Sequence, residues 1–237
     1  MKKIMWIVSV IPFVVTAVVL QFMPESVPMH YDLAGNIDRW GSKNENLIVP
    51  VIILMNALLM HVLIGYFEKK AGKTADEKEQ KSALSNAKTL GIVGTAMSVM
   101  FGLLQYFLLY NAYEGADTNA SVVAVDMNKV GCILMGILFI VLGNFLTKTR
   151  VNGWLGVRTS WSMYNDNTWR KSNHFGAYVI ILAGFATILT ALLLTNSFMT
   201  MMVAVCYLLL AVVVVVIYSY KVYADEKAME KTNPGSK

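Results

Sequence analysis

Six stretches of the chain, residues 4–22, 47–67, 90–110, 130–146, 175–195 and 198–220, are almost unbroken in apolar side chains. Each runs about 17 to 23 residues, enough as a helix to cross ~30 Å of hydrocarbon. Helix is the expected form, because lipid offers no partner to bare backbone N–H and C=O groups. Only Asn196-Ser197 separates the last two runs, which predicts an antiparallel helical hairpin there. The pattern thus predicts an all-α integral membrane protein with about six transmembrane helices. Composition agrees: 56% of the 237 residues are hydrophobic and 15% charged, outside the range of ordinary soluble domains. The first run follows Met1-Lys2-Lys3 like a secretory signal, but it is too long for one and no small-residue cleavage site follows it.

Charge sets the expected orientation, since Lys and Arg near span ends are retained on the cytoplasmic side. Lys2 and Lys3 precede the first run, and Lys69, Lys70, Lys73, Lys78, Lys81 and Lys88 lie between the second and third. Lys148, Arg150, Arg158, Arg170 and Lys171 lie between the fourth and fifth, and Lys221, Lys227, Lys231 and Lys237 come at the end of the sixth or beyond it. Arg39, Lys43 and Lys129 alone fall on the other side. Both termini are therefore predicted to be cytoplasmic. The formal charge of +5 is mostly this asymmetry and implies no direct nucleic-acid binding. Cys132 and Cys206 fall inside runs, where they are expected to pack as small apolar residues. Gly91, Gly94, Gly102, Gly131, Gly136, Gly143, Gly176 and Gly184 predict small faces for close helix packing.

Two polar segments interrupt this scheme. The first, MHYDLAGNIDRWGSK at 29–43, is predicted to be a small extracellular hairpin turning at Gly35-Asn36. A two-residue turn there would set Ala34 opposite Ile37, Leu33 opposite Asp38, Asp32 opposite Arg39 and Tyr31 opposite Trp40. His30 would then lie level with Gly41, several residues along the ladder from Asp38. One histidine and two carboxylates make a weak metal signal, so no metal ligand, cofactor or catalytic residue is assigned. His61, inside the second run, is expected to bond to a neighbouring helix. The second segment, 152–176, holds Trp154, Trp161 and Trp169 with Arg170 and Lys171, which suggests an interfacial belt. Gly156-Val157-Arg158-Thr159 adds a tight turn beside a fork of donors. Asn165 or Asp166 is positioned to cap an interfacial amphipathic helix before the fifth run. The charged stretch 68–88 reads as a solvated linker or as charged extensions of the flanking helices.

Together the two segments carry a resemblance. Pro24, Pro28, His30, Tyr31, Gly35, Asp38, Gly41, Ser42 and Lys43 match a P-x-x-x-P-x-H-aromatic-x-x-x-G-x-x-D-x-x-G-S-K signature of a bacterial domain of unassigned chemistry. Gly156, Arg158, Thr159, Trp161, Asn165, Trp169 and Lys171 match a second signature of the same proteins. The chain resembles the SdpI-like membrane proteins, named for an immunity protein against a secreted Bacillus toxin. That resemblance implies a multi-pass protein of the bacterial cell membrane with no known enzyme activity. It also implies two partners: a secreted peptide toxin outside, and a small DNA-binding repressor held at the membrane inside. On this reading Pro28, His30, Tyr31, Asp32, Gly35, Asp38, Arg39, Trp40, Gly41, Ser42 and Lys43 recognise the toxin. Gly156, Arg158, Thr159, Trp161, Asn165, Trp169 and Lys171 serve the cytoplasmic partner. After Trp169-Arg170-Lys171 the chain reads Ser172-Asn173-His174, where the family commonly has Thr-His-Arg.

The organisation expected is a two-helix unit with its signature loop (1–70), a charged linker (71–89) and a four-helix unit (90–237). Two other functions fit a chain of this kind. A small transporter or channel would use Asn56, His61, Gln105 and Asn144 along a polar path. A membrane-embedded enzyme would use His30 and Asp38 as base and acid, which requires both within reach of one substrate atom.

Overall fold

The structure is a computed structural model that describes residues 1–232 apart from Leu33 and Gly153. The expected Leu33–Asp38 pair, Gly153 of the second segment and Lys237 lie outside the described residues. Helices α1 (Lys2–Val19), α2 (Ile48–Lys73), α3 (Glu77–Asp117), α4 (Met127–Leu146), α5 (Asp166–Leu193) and α6 (Ser197–Thr232) correspond to the six apolar runs. All six are long and apolar enough to cross a membrane. They expose Ile4, Ile7, Ile11, Leu58, Leu182, Leu209 and Ile217, as lipid-facing helices do. This is an all-α multi-pass membrane protein, and its even number of spans brings both termini to one end of the bundle.

The charged stretch after α2 is mostly helix. α2 runs to Lys73 and α3 starts at Glu77, where the Asp76 carboxylate accepts from the Lys78 N–H at 2.9 Å, so three residues separate the two helices. Lys70 and Lys73 in the last turn of α2, and Glu77 and Glu79 in the first turn of α3, each suit the helix dipole at their end. The unit α1–α2–α3 packs around Met5, Ala57, Ile64, Phe67 and Leu90. Polar bonds pin it at two depths: Ser9 donates to Ser98 at 2.9 Å, and the Gln105 amide donates to Thr16 at 3.2 Å and to the Asn46 carbonyl at 2.9 Å. His61 accepts from the Trp6 indole at 3.1 Å, the interhelical bond expected of it.

Of the eight glycines expected to form small faces, all but one stand where a Cβ would press on a neighbour. A Cβ on Gly136 would lie 2.7 Å from the Gly184 carbonyl, and one on Gly184 would lie 2.6 Å from the Gly136 carbonyl, so α4 and α5 touch backbone to backbone. Gly102 is the notch that admits the Pro12 ring of α1. Gly131 has open space at its Cβ position and makes no such approach.

Between α1 and α2 the chain forms a two-stranded antiparallel sheet, β1 (Ser26–Tyr31) and β2 (Ile37–Ser42). Its register departs from expectation. Tyr31 pairs with Ile37, His30 with Arg39 and Pro28 with Trp40, with irregularities on both sides of His30. The turn is wider than two residues because Asp32 organises it: its carboxylate accepts from the Ala34 and Asn36 N–H groups at 2.8 Å and from the Asn36 amide at 2.7 Å. The expected Asp32–Arg39 and Tyr31–Trp40 pairs therefore do not form. The glycine of this turn still adopts a positive φ, +86° at Gly35.

Candidate functional site

The two ends of the bundle carry different built surfaces. At the hairpin end, β1 rests on α3: Val27 and Pro28 are buried, and Gly115 of α3 is the space the Pro28 ring fills. The α3–α4 loop joins the tip, with Ile37 N–H donating to the Ser121 carbonyl and Val123 N–H to the Gly35 carbonyl, each at 2.9 Å. Asn111 holds that loop by both amide atoms, accepting from Val125 N–H and donating to its carbonyl at 2.9 Å.

The end of the first signature is a capping device. Ser42 begins a 3-10 turn (Lys43–Leu47) and accepts from the Asn44 N–H, while Glu45 accepts from the Ser42 N–H at 3.0 Å. Gly41 leaves room for that carboxylate, since a Cβ would sit 2.2 Å from Glu45 Oε1. Arg39 donates to the other Glu45 oxygen at 2.9 Å. Lys43 reaches back to the Met23 carbonyl at 3.2 Å and to Glu25 at 3.0 Å, tying the strand exit to the end of α1. Thus Pro28, Asp32, Gly35, Gly41, Ser42 and Lys43 of the expected recognition set take part in building the hairpin.

His30 and Asp38 do come together, contrary to the register expected, with Nδ1 and Oδ1 2.6 Å apart. The irregularity at His30 brings this about by moving Asp38 onto the same edge. Their side chains are 63% and 44% exposed, so the pair stands in water at the edge of the sheet. Trp40 is the large apolar group offered on the same strand, 40% exposed. The Asp32 carboxyl is held below its ordinary value of 3.8, chiefly by the Asn36 side-chain and backbone bonds.

At the other end, residues 147–152 and 154–165 form a cap over the α5 entry. Gly156 is its pivot, at φ +112° with its α-hydrogen face against Asn173 Oδ1 and the Trp169 ring; a Cβ would lie 2.6 to 2.9 Å from them. Asn173, 1% exposed, accepts from the Val157 N–H at 2.8 Å and donates to the Trp169 carbonyl at 2.9 Å. Trp169 is buried and donates its indole N–H to the Thr149 carbonyl at 3.1 Å, so it belongs to the cap interior and not to an interfacial belt. Trp161 packs edge-on against Tyr220 of α6, and Trp154 alone of the three is well exposed. Thr159 and Ser162 bond reciprocally, and Thr159 reaches Ser219 of α6 at 2.6 Å.

Asn165 caps α5 through the Thr168 N–H at 2.8 Å, as expected, and the amphipathic turns that begin there run without a break into the span as the start of α5. Glu226 of α6 accepts from both Asn165 and Asn167, and Tyr164 donates to Glu230 at 2.8 Å, which raises the tyrosine pKa. Arg158 and Lys171 stay exposed, without a carboxylate partner among the described residues. The sequence reading passed over Asn86, which accepts from the Arg150 N–H at 3.1 Å, and over Asn152, whose side chain closes a turn on Trp154 and Leu155 at 2.7 Å. An asparagine two residues before an exposed tryptophan was the available signal for that turn.

The residues named for a transporter path are not gathered. Trp6 takes His61, and Thr16 and Asn46 take Gln105. Asn144 is exposed on the outside of α4.

Fold and site define a six-helix membrane protein with a small sheet at one end and an asparagine-pinned cap at the other. Residues 7–54 match the domain of unknown function DUF1648, and residues 148–219 match the SdpI/YfhL protein family. Over 224 residues, 93% of this chain and 96% of the relative, the sequence is 23% identical to the Immunity protein SdpI of Bacillus subtilis (strain 168). The chain is thus similar to SdpI over nearly its whole length, and it is a multi-pass protein of the bacterial membrane. No solved structure matches it. The first matched stretch includes the hairpin and the second includes the cap, so the likeness falls on both built ends.

Proposed function

We propose that this protein confers immunity to a secreted peptide toxin and passes the toxin's presence to a soluble partner inside the cell. The observation that supports this reading is the coincidence of two matched signatures with two surfaces at opposite ends of one bundle, in a chain alike over nearly its whole length to an immunity protein. The hairpin is taken to face outward, because three of the twenty Lys and Arg lie at that end. There Trp40, Arg39 and the His30–Asp38 pair form the contact surface for a peptide, with an aromatic anchor beside charged groups. At the inner end Arg158 of the cap and Lys171 of the first turns of α5 are exposed cations that belong to the second signature, and they meet the acidic face of a small transcriptional repressor. No chemistry is required of either surface.

Expression in a toxin-sensitive Bacillus strain that lacks its own immunity protein tests the proposal. Growth at toxin concentrations that kill the parent strain is expected. Trp40→Ala is expected to reduce protection about tenfold or more, the loss of one buried anchor. Arg158→Ala is expected to preserve protection and membrane level while abolishing reporter induction. Sensitivity equal to the parent strain, with the protein present in the membrane, overturns the proposal.

A further inference from the structure

The cap overhangs a cleft of about 810 Å³ between α3, the end of α4 and the start of α5. Its walls carry Lys88, Lys148, Arg150, Arg170 and His174, against a single carboxylate, Asp166. Asp166 is already paired with Lys78 at 2.8 Å, and none of the four Lys and Arg of the walls has a carboxylate partner among the described residues. Four unneutralised cations around one concavity repel each other unless an anion joins them.

The depth of the cleft narrows the choice of anion. Lys88 lies two residues before the apolar run of α3, Lys148 two residues after that of α4, and Arg170 five residues before that of α5. The cations therefore ring the boundary between water and hydrocarbon, where phospholipid phosphates lie. Ile92 of α3 lines this cleft and also a second, apolar groove of about 320 Å³ formed with Met1, Ile4, Thr95 and Ala96. Going down α3, a basic chamber passes within one turn into an apolar channel directed toward the bilayer middle. An acidic peptide from solution would use only the first of these.

We propose that the cleft and groove together bind one anionic glycerophospholipid, its phosphate among Lys88, Lys148, Arg150 and Arg170 and one acyl chain along Ile92, Thr95 and Ala96. Charge complementarity selects the head, and the apolar groove on the other side of Ile92 selects the tail. This site is separate from the hairpin and does not depend on the immunity reading.

Native mass spectrometry of the detergent-solubilised full chain tests it, with equimolar dioleoyl phosphatidylglycerol and dioleoyl phosphatidylcholine as probes. One retained phosphatidylglycerol per chain, in preference to phosphatidylcholine, is expected. Lys88→Gln with Arg170→Gln is expected to weaken retention about tenfold or more, the factor for losing a charge-assisted hydrogen bond. Lys3→Gln with Lys231→Gln removes the same charge elsewhere and is expected to change it about twofold or less. Should the first double variant fail to fold, Lys148→Gln with Arg150→Gln tests the facing wall. Equal retention of the two lipids, equal losses in the site and control variants, or displacement of the lipid by millimolar glycerol 3-phosphate overturns the proposal, the last by assigning the cleft to a free phosphate.

Discussion

Asn173 does for the cap what Asn111 does for the α3–α4 loop: one buried amide substitutes for a strand partner by giving and taking a backbone hydrogen bond. Replacing it takes that partner from the part-buried Val157 N–H and from the Trp169 carbonyl. Asn173→Ala is expected to lower stability by about 1–3 kcal/mol, the cost of an unmet donor withdrawn from water. Arg158→Ala, on an exposed side chain of the same cap, is expected to stay within about 0.5 kcal/mol. Thermal unfolding in detergent, followed by tryptophan fluorescence, compares the two; equal shifts would deny Asn173 its part in holding the cap. Asp32 gives a residue-scale pH dependence. Its carboxyl titrates below 3.8 in the folded hairpin, so the unfolded chain binds its proton first as pH falls. The stabilisation is present above the unfolded value and is lost as pH drops through the lower folded one. The protection of the Ala34 and Asn36 amides, taken relative to their intrinsic exchange rate at each pH, is expected to hold above 3.8 and to fall as the pH drops below it. In Asp32→Asn that acid step is expected to vanish.

At the scale of elements, the contact of α4 with α5 rests on absent side chains. Gly136→Ala places a methyl within 2.7 Å of the Gly184 carbonyl and is expected to cost about 1–3 kcal/mol by forcing the helices apart. Gly131→Ala, in the same helix with open space around it, is expected to be neutral or to stabilise by about 0.5–1 kcal/mol through helix propensity alone. Unfolding midpoints of the two variants that moved together would remove close packing as the reason for Gly136. The sequence cannot separate these two glycines, because it records a helix's small positions but not which neighbour lies against them. The same limit explains the hairpin. Gly35-Asn36 marked the turn correctly, but Asp32 gathers the Ala34 and Asn36 N–H groups into a wider loop, and a shift in register re-pairs every residue beyond it. That shift joined His30 to Asp38 and sent Arg39 to Glu45. Spans were legible because length and hydropathy set them, and the Asn165 cap was legible because it is local. The burial of Trp169 and the roles of Asn86 and Asn173 depend on partners 16 to 64 residues away, which no local pattern encodes.

For the whole molecule, the decisive quantity is the side on which each end lies. Three sets of contacts close the terminal end: Lys2 of α1 pairs with Glu68 of α2 at 2.5 Å, Lys78 of α3 with Asp166 of α5, and Glu226 of α6 with Asn165 and Asn167. The hairpin end is closed by its own sheet, by Gln105 and Asn111, and by the hydroxyl of Ser197 on Asp126. Because each end is locked within itself, a change of orientation would have to invert the bundle as a unit, and the basic residues at the terminal end oppose that during insertion. Two single-cysteine variants, made after replacing Cys132 and Cys206 by alanine, read the outcome directly. Asn44→Cys lies on the exposed 3-10 turn after β2, and Lys231→Cys lies in the last turn of α6. A membrane-impermeant maleimide is expected to label Asn44→Cys in intact cells and Lys231→Cys only after permeabilisation. The reverse pattern would turn the hairpin inward, away from any secreted peptide, and place Arg158 and Lys171 outside, where no cytoplasmic repressor could reach them. Labelling of both from outside would contradict six crossings altogether, so this one measurement bears on the fold and on both proposed contact surfaces.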